Sequence, residues 1–207
     1  MRDKSAAKTT MFLNPDIPAA IAAAENDSAL EPESLNSERI EHRFGSCGID
    51  VLEHRTGLRR SSLFSVEGDR KICRTLAVVI FEAPQAPDLI AAHAMIIAGQ
   101  SIGATLKSSG CEIRKSTLYA GTLSLRTTDQ AIHRLMQLDG PAKLALHAYR
   151  LEVRRGEESF EYATIVEIHH PDYLSPSELK SLYCGNAKHQ VTVADINRFR
   201  ALALGAV

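Results

Sequence analysis

Residues 59–81 read RRSSLFSVEGDRKICRTLAVVIF and residues 82–103 read EAPQAPDLIAAHAMIIAGQSIG. The first stretch is a β-hairpin by its own chemistry. Apolar residues alternate on both sides of Glu67-Gly68-Asp69-Arg70, where Gly68 supplies a positive φ. The second stretch is an apolar helix opened by Pro87, a break at Gly99 and a new helix near Ser101. Side chains alternate along a strand, so Ile72, Arg74, Leu76, Val78 and Ile80 share one face, as do Arg60, Ser62, Phe64 and Val66. A guanidinium on an apolar face is costly unless it meets an anion. Arg60 and Arg74 therefore read either as structural ion pairs or as the anchors of a carboxylate pocket.

Turn length decides which arginine joins Arg74. A two-residue turn at Gly68-Asp69 puts Leu63 opposite Arg74 and brings Arg59 to its face. A three-residue turn puts Phe64 opposite Arg74 and brings Arg60. Register follows the buried pattern, and Phe64 and Val66 match the apolar even positions of the second strand. The reading favours Arg60, with Arg59 as the alternative.

Outward from this core, residues 1–36 are rich in Ala, Asp, Glu, Ser and Pro and bury little, so they read as a flexible arm with one short helix over 16–25. The segment 37–57 carries mixed signals for a short helix or a strand. Beyond Gly103, a strand is predicted over 111–125, with Cys111, Ile113, Thr117, Tyr119, Leu123 and Leu125 on one face. A short helix then runs to Leu138, and a second hairpin spans 143–154 and 158–169 around Arg155-Gly156. Helices begin at Ser175-Pro176 and near Asp195. Hairpins dominate this order, which predicts an α+β fold with an antiparallel sheet rather than a parallel βαβ fold. The divisions are an arm over 1–36, a domain over 37–175 and a helical extension over 176–207.

The chain has 207 residues and a formal net charge of −1. No global field draws it to nucleic acid or to an anionic membrane. The four cysteines form no CxxC pair and read as reduced thiols of a cytoplasmic protein. No apolar run reaches the roughly 20 residues that span a bilayer. Pro15, Asp16 and Pro18 crowd the apolar IPAAIAAA, which does not read as a signal peptide. GxGxxG, GxxxxGK[ST] and HExxH are all missing from the sequence. His169 and His170 are adjacent on a strand and point to opposite faces, so they do not share a metal ion. His93 on the apolar helix stripe reads as a hydrogen-bonded core residue. Glu167, in ATIVEIHHP, is a carboxylate among apolar neighbours, either ion-paired or kept for a ligand.

Arg60, CRTLAVV around Arg74, GQSIGATL around Ile102-Gly103, IRKS around Arg114 and TIVEIHHP around Glu167 occur in that order. Together they resemble the bacterial chorismate pyruvate-lyases, whose corresponding stretches are a strand arginine, GRT, PLG and TELFLP. The last hairpin is also similar to that of the UTRA ligand-sensing domains of the same superfamily. The resemblance covers about residues 58–172. Ser101 stands where the lyases have the proline of PLG, and the arm and C-terminal helices are unmatched.

This resemblance implies helices folded over an internal pocket, with no metal and no cofactor. Arg60 (or Arg59) and the Ile102 N–H would hold a ring carboxylate, Arg74, Gly103 and Arg114 would add to the anion end, and Glu167 would meet the opposite end of the ring. The implied activity is elimination of pyruvate from chorismate to give a hydroxybenzoate, as in ubiquinone synthesis. The other reading is a sensing module for an aromatic or related organic acid. Fewer than sixty residues precede Arg59, and this net-acidic segment shows no basic recognition helix, so a DNA-binding repressor is not expected.

Overall fold

The computed structural model describes residues 34–82, 87–183 and 191–205. Six strands, β1 (Gly48–Arg55), β2 (Leu58–Glu67), β3 (Arg70–Phe81), β4 (Glu112–Leu125), β5 (Ala142–Arg155) and β6 (Glu158–His169), form one open antiparallel sheet in the order β1-β2-β3-β6-β5-β4. The described helices are α1 (Asn36–Phe44), α2 (Pro87–Ile97), α3 (Ile102–Ser108), α4 (Gln130–Met136), α5 (Pro176–Tyr183) and α6 (Val193–Leu204). The fold is α+β. The segment 37–57, read as helix or strand, supplies both, and β1 becomes an edge strand with Val51 and Leu52 exposed.

Helices cover both faces of the sheet. On one face Val79, Leu151 and Ile165 pack against Leu89 and Ile96 of α2 and Leu106 of α3. Ile40 of α1 and Leu179 of α5 close the same side against Ala145. On the other face Val78, Leu146 and Val166 pack against Met136 of α4 and Phe199 and Leu202 of α6. Both faces of β3 are thus sealed, which explains its nearly unbroken apolar run and its burial from Ile72 through Val79. The C-terminal helices are part of the core. Of the arm expected over 1–36, residues 1–33 and the expected helix lie outside the described residues, whereas Leu35 and Asn36 are buried against the fold rather than free of it. Cys47, Cys73 and Cys111 are free thiols, and Cys184 lies outside the described residues.

Four register shifts interrupt the ladders, one of them between Val51 and Glu53 of the edge strand β1, and the other three bear on which of the expected side chains share a face. The β2–β3 hairpin closes on a two-residue turn, with Glu67 opposite Arg70 and Gly68 at φ 59°. Phe64 then faces Cys73 while Leu63 faces Thr75, so Arg74 is the extra residue. Past the bulge Arg59 pairs with Val79 and Arg60 with Val78, and Arg59 is the arginine that enters the face of the cavity described below. In β4 the register shifts between Thr117 and Tyr119, so these two residues, expected on one face, stand on opposite faces. A third shift between Leu151 and Glu152 leaves Tyr162 unpaired on β6. Its hydroxyl meets His93 Nδ1 at 2.8 Å, which makes His93 a hydrogen-bonded residue against the core.

Candidate functional site

One row across the sheet reads Arg59–Val79–Ile165–Tyr149–Thr117, and the next reads Ser61–Ala77–Glu167–His147–Ala120. Beyond it lies Leu63–Thr75–His169–Ala145–Thr122. A cavity of about 70 Å³ stands over the first two rows. By the ~10–15 Å³ that one water needs on this measure, it holds about five waters, the space of one small ring compound. Val79, Leu151 and Ile165 form its apolar floor, Ile102 and Gly103 at the start of α3 form one wall, and Leu35 and Asn36 at the start of α1 cover it. Arg59, Lys115, Tyr149 and Glu167 supply its ionisable groups, and Asn36, Ser37 and Ser101 add neutral polar ones.

Arg59 donates through Nη1 to the Ile96 carbonyl and, at 3.0 Å, to the Gln100 carbonyl, which fastens the end of α2 to the sheet. Its Nε is buried without a partner. Glu167 accepts from the Tyr149 hydroxyl at 3.2 Å, and its other oxygen lies 3.9 Å from His169 Nε2. Burial raises its pKa, against the pull of Lys115, the Asn36 side chain and Arg39. Lys115 donates to the Ser34 carbonyl at 3.2 Å. Burial lowers its pKa to about 8, Glu167 opposes that, and Arg39 and Lys107 add to it.

Beside Glu167 the site continues into a buried polar cluster. Asn36 Oδ1 accepts from Arg39 Nη2 at 2.5 Å and from the Tyr173 hydroxyl at 2.9 Å. Arg39 is 4 % exposed, yet its Nε and Nη1 have no partner, and neither do Ser61 Oγ and His169 Nε2. His147 and His169 each bind a threonine hydroxyl, Thr117 at 3.2 Å and Thr75 at 3.0 Å. Burial keeps both imidazoles neutral by lowering their pKa values, that of His169 to about 3. His147, Glu167 and His169 bring three donor atoms within 4.8 Å of one another, the makings of a metal site. The charges of Arg39 and Lys115 act on the same groups. A cation there would add to positive charge already buried, so the electrostatics favour an anion.

Of the residues expected at the pocket, Arg59, Ile102, Gly103 and Glu167 line the cavity together. Three others do not. Arg60 leaves β2 on the opposite face and donates to the Leu202 and Ala203 carbonyls at 3.1 and 2.7 Å, capping the end of α6. Arg74, turned aside by its bulge, forms an ion pair with Glu67, binds Ser65 Oγ at 2.8 Å and lies 3.9 Å above the Phe44 ring. Arg114 is exposed on β4 opposite Glu152. His170 points away from His169 and toward Arg74 and Asp172.

No protein-family model matches this chain, and no curated protein matches it. The chemistry of the site stands on its own geometry. Among the described residues, no helix is long and apolar enough to cross a membrane.

Sequence reasoning passed over Lys115, Tyr149, Asn36 and Arg39. Lys115 had a signal, since it lies between Ile113 and Thr117 on a face already read as inward. Tyr149 follows by pairing with Ile165 once the second hairpin is drawn. Nothing in SLNSERIEHRF marks Arg39 as buried. Its place depends on α1 folding back over a sheet that is built later in the chain.

Proposed function

We propose that the cavity binds a small aromatic carboxylate, and that the chain acts on chorismate like the lyases it resembles. The observation that carries this is the charge balance of an otherwise apolar pocket. Arg59 and the half-buried Lys115 line it, with the buried Arg39 in the adjoining polar cluster, against one carboxylate, Glu167, whose raised pKa weakens even that counter-charge. Buried and half-buried cations in such excess call for an anionic ligand.

The ring carboxylate faces Arg59, with the Ile102 N–H beside it, and the ring lies on Val79 and Ile165. The far end of the ring then meets Glu167 and Tyr149. In chorismate the ring–oxygen bond to the enolpyruvyl group breaks, the electron pair leaves on the ether oxygen, and a neighbouring ring carbon loses its proton as the ring aromatises. Enolpyruvate then ketonises to pyruvate. The driving force is in the substrate, so the protein's share is orientation and a proton at the ether oxygen. A carboxyl group with a raised pKa, such as Glu167, holds that proton.

The size of the cavity favours a second reading, in which the chain binds an aromatic acid without turnover. About 70 Å³ suits a hydroxybenzoate better than the larger chorismate, and Arg59 is already engaged by two backbone carbonyls. Incubation of the purified chain with chorismate, following pyruvate and the aromatic product by chromatography, separates the two. Both products appearing, and disappearing in Glu167→Gln, support the lyase. No product, with 4-hydroxybenzoate still raising the melting temperature, leaves the binding module. No product and no thermal shift with any aromatic acid removes both readings.

A further inference from the structure

We propose that Lys115 is a nucleophile whose amine condenses with the carbonyl carbon of a small oxo acid held in this cavity, forming an imine. The inference rests on the reading of the cavity as a carboxylate site, and it assigns a chemistry that pyruvate elimination does not use.

The placement comes first. Lys115 sits on β4 between Ile113 and Thr117, and Ile113, Leu151 and Ile102 give its stretch of the cavity apolar walls. Among the described residues its hydrogen-bond partner is a neutral carbonyl, that of Ser34, rather than a carboxylate. Its ammonium group lies 5.7 Å from the Tyr149 ring centroid. An amine half-buried in a partly apolar pocket beside other cations is held neutral more often, which is how lysines become nucleophiles. The groups acting on it are Glu167 of β6, Arg39 and Glu38 of α1 and Lys107 of α3. With its pKa near 8, Lys115 is neutral at pH 7 on the order of hundreds of times more often than an ordinary lysine.

The second requirement is a group that passes protons, and Glu167 lines the same cavity. The neutral amine attacks the carbonyl carbon, and the carbonyl electron pair moves to oxygen, which takes the proton of the Glu167 carboxyl. The carboxylate so formed removes a proton from nitrogen and returns it to the hydroxyl, which leaves as water. The nitrogen lone pair closes the carbon–nitrogen double bond, and the protonated imine is left paired with the Glu167 carboxylate. Amine and carbonyl give imine and water, with no change of oxidation state and no co-reactant. Arg59, on the same face, is the partner for the carboxylate of the oxo acid.

Borohydride trapping tests this on the full chain. Pyruvate and 4-formylbenzoate are offered separately, borohydride reduces any imine to a stable secondary amine, and peptide mass mapping locates the adduct. The expected result is one adduct at Lys115, formed at least about tenfold faster than at the exposed Lys71, Lys107, Lys143 or Lys180. Benzoate in excess should suppress it, and Lys115→Arg should remove it. Should that variant fail to fold, the wild-type peptide map decides alone. Label spread evenly over the exposed lysines overturns the proposal. An unlabelled Lys115 with 4-hydroxybenzoate still raising the melting temperature removes the imine but keeps the aromatic-acid site. No label together with no thermal shift removes both.

Discussion

Arg59 and Arg60 are neighbours in the chain that leave β2 on opposite faces, so replacing each in turn separates ligand binding from support of the fold. Arg59→Met removes the guanidinium of the cavity and frees the Ile96 and Gln100 carbonyls. It should weaken binding of 4-hydroxybenzoate by roughly 2–5 kcal/mol, the range for truncating one partner of a buried charge pair. Arg60→Met uncaps the end of α6. It should lower stability by about 1–3 kcal/mol, the worth of two hydrogen bonds from a half-exposed donor, and leave ligand affinity unchanged. Urea unfolding with and without ligand reads both quantities. Equal loss of affinity in the two variants would contradict the face assignment. Arg74 tests a third role. Arg74→Met leaves the half-exposed Glu67 without its partner and the Phe44 ring without its cation. Stability should fall with no change in binding.

At the scale of elements, the hairpins, α2, α3, α4 and the C-terminal helices were legible in the sequence, because each carries its own local signals of alternation, cap and turn. The faces were less legible. Alternation is reliable only while the ladder is regular, and a bulge leaves no mark in the sequence. The two-residue turn alone would have grouped Arg59 with Arg74; the bulge at Arg74 separates them. The cover over the cavity was hidden for another reason, since Leu35 and Asn36 are held by contacts far along the chain. Gly103 shows how close that cover is, because a Cβ there would collide with the Leu35 side chain. Gly103→Ala should therefore destabilise by about 1–3 kcal/mol, as overpacked sites do. In a Leu35→Ala background the collision disappears, and the same change should stabilise by up to about 1 kcal/mol through helix propensity. A double-mutant cycle in urea measures the difference, and additive effects would mean that α1 does not rest on α3.

For the molecule as a whole, the buried ionisable groups on the cavity side set how stability depends on pH. Burial holds His147 and His169 neutral in the folded state, with pKa values below the ordinary 6.5 and that of His169 at about 3. The unfolded chain binds protons at these two sites as pH falls below 6.5, and the folded chain does not. Stability is therefore fully present above pH 6.5 and declines as pH falls toward the folded values. For His169 alone the loss between pH 7 and pH 5 is about 2 kcal/mol. Glu167 acts in the opposite sense. Its raised folded pKa means that the folded state takes up its proton first, so its penalty eases as pH falls toward 4.5. Lys115 contributes only at the alkaline end, where its penalty is lifted between about pH 8 and 10.5. With two histidines against one carboxyl group, the net expectation is a protein that weakens from pH 7 to pH 5. His169→Gln keeps a group able to bond Thr75 and cannot be protonated. It should flatten that decline by about 2 kcal/mol, while Glu167→Gln should steepen it. Urea unfolding at pH 5, 6, 7 and 8 for the three proteins reads the slopes directly. An unchanged slope in His169→Gln would mean that the imidazole is already solvated or charged in the folded state, and that the polar cluster beneath the cavity is open to water.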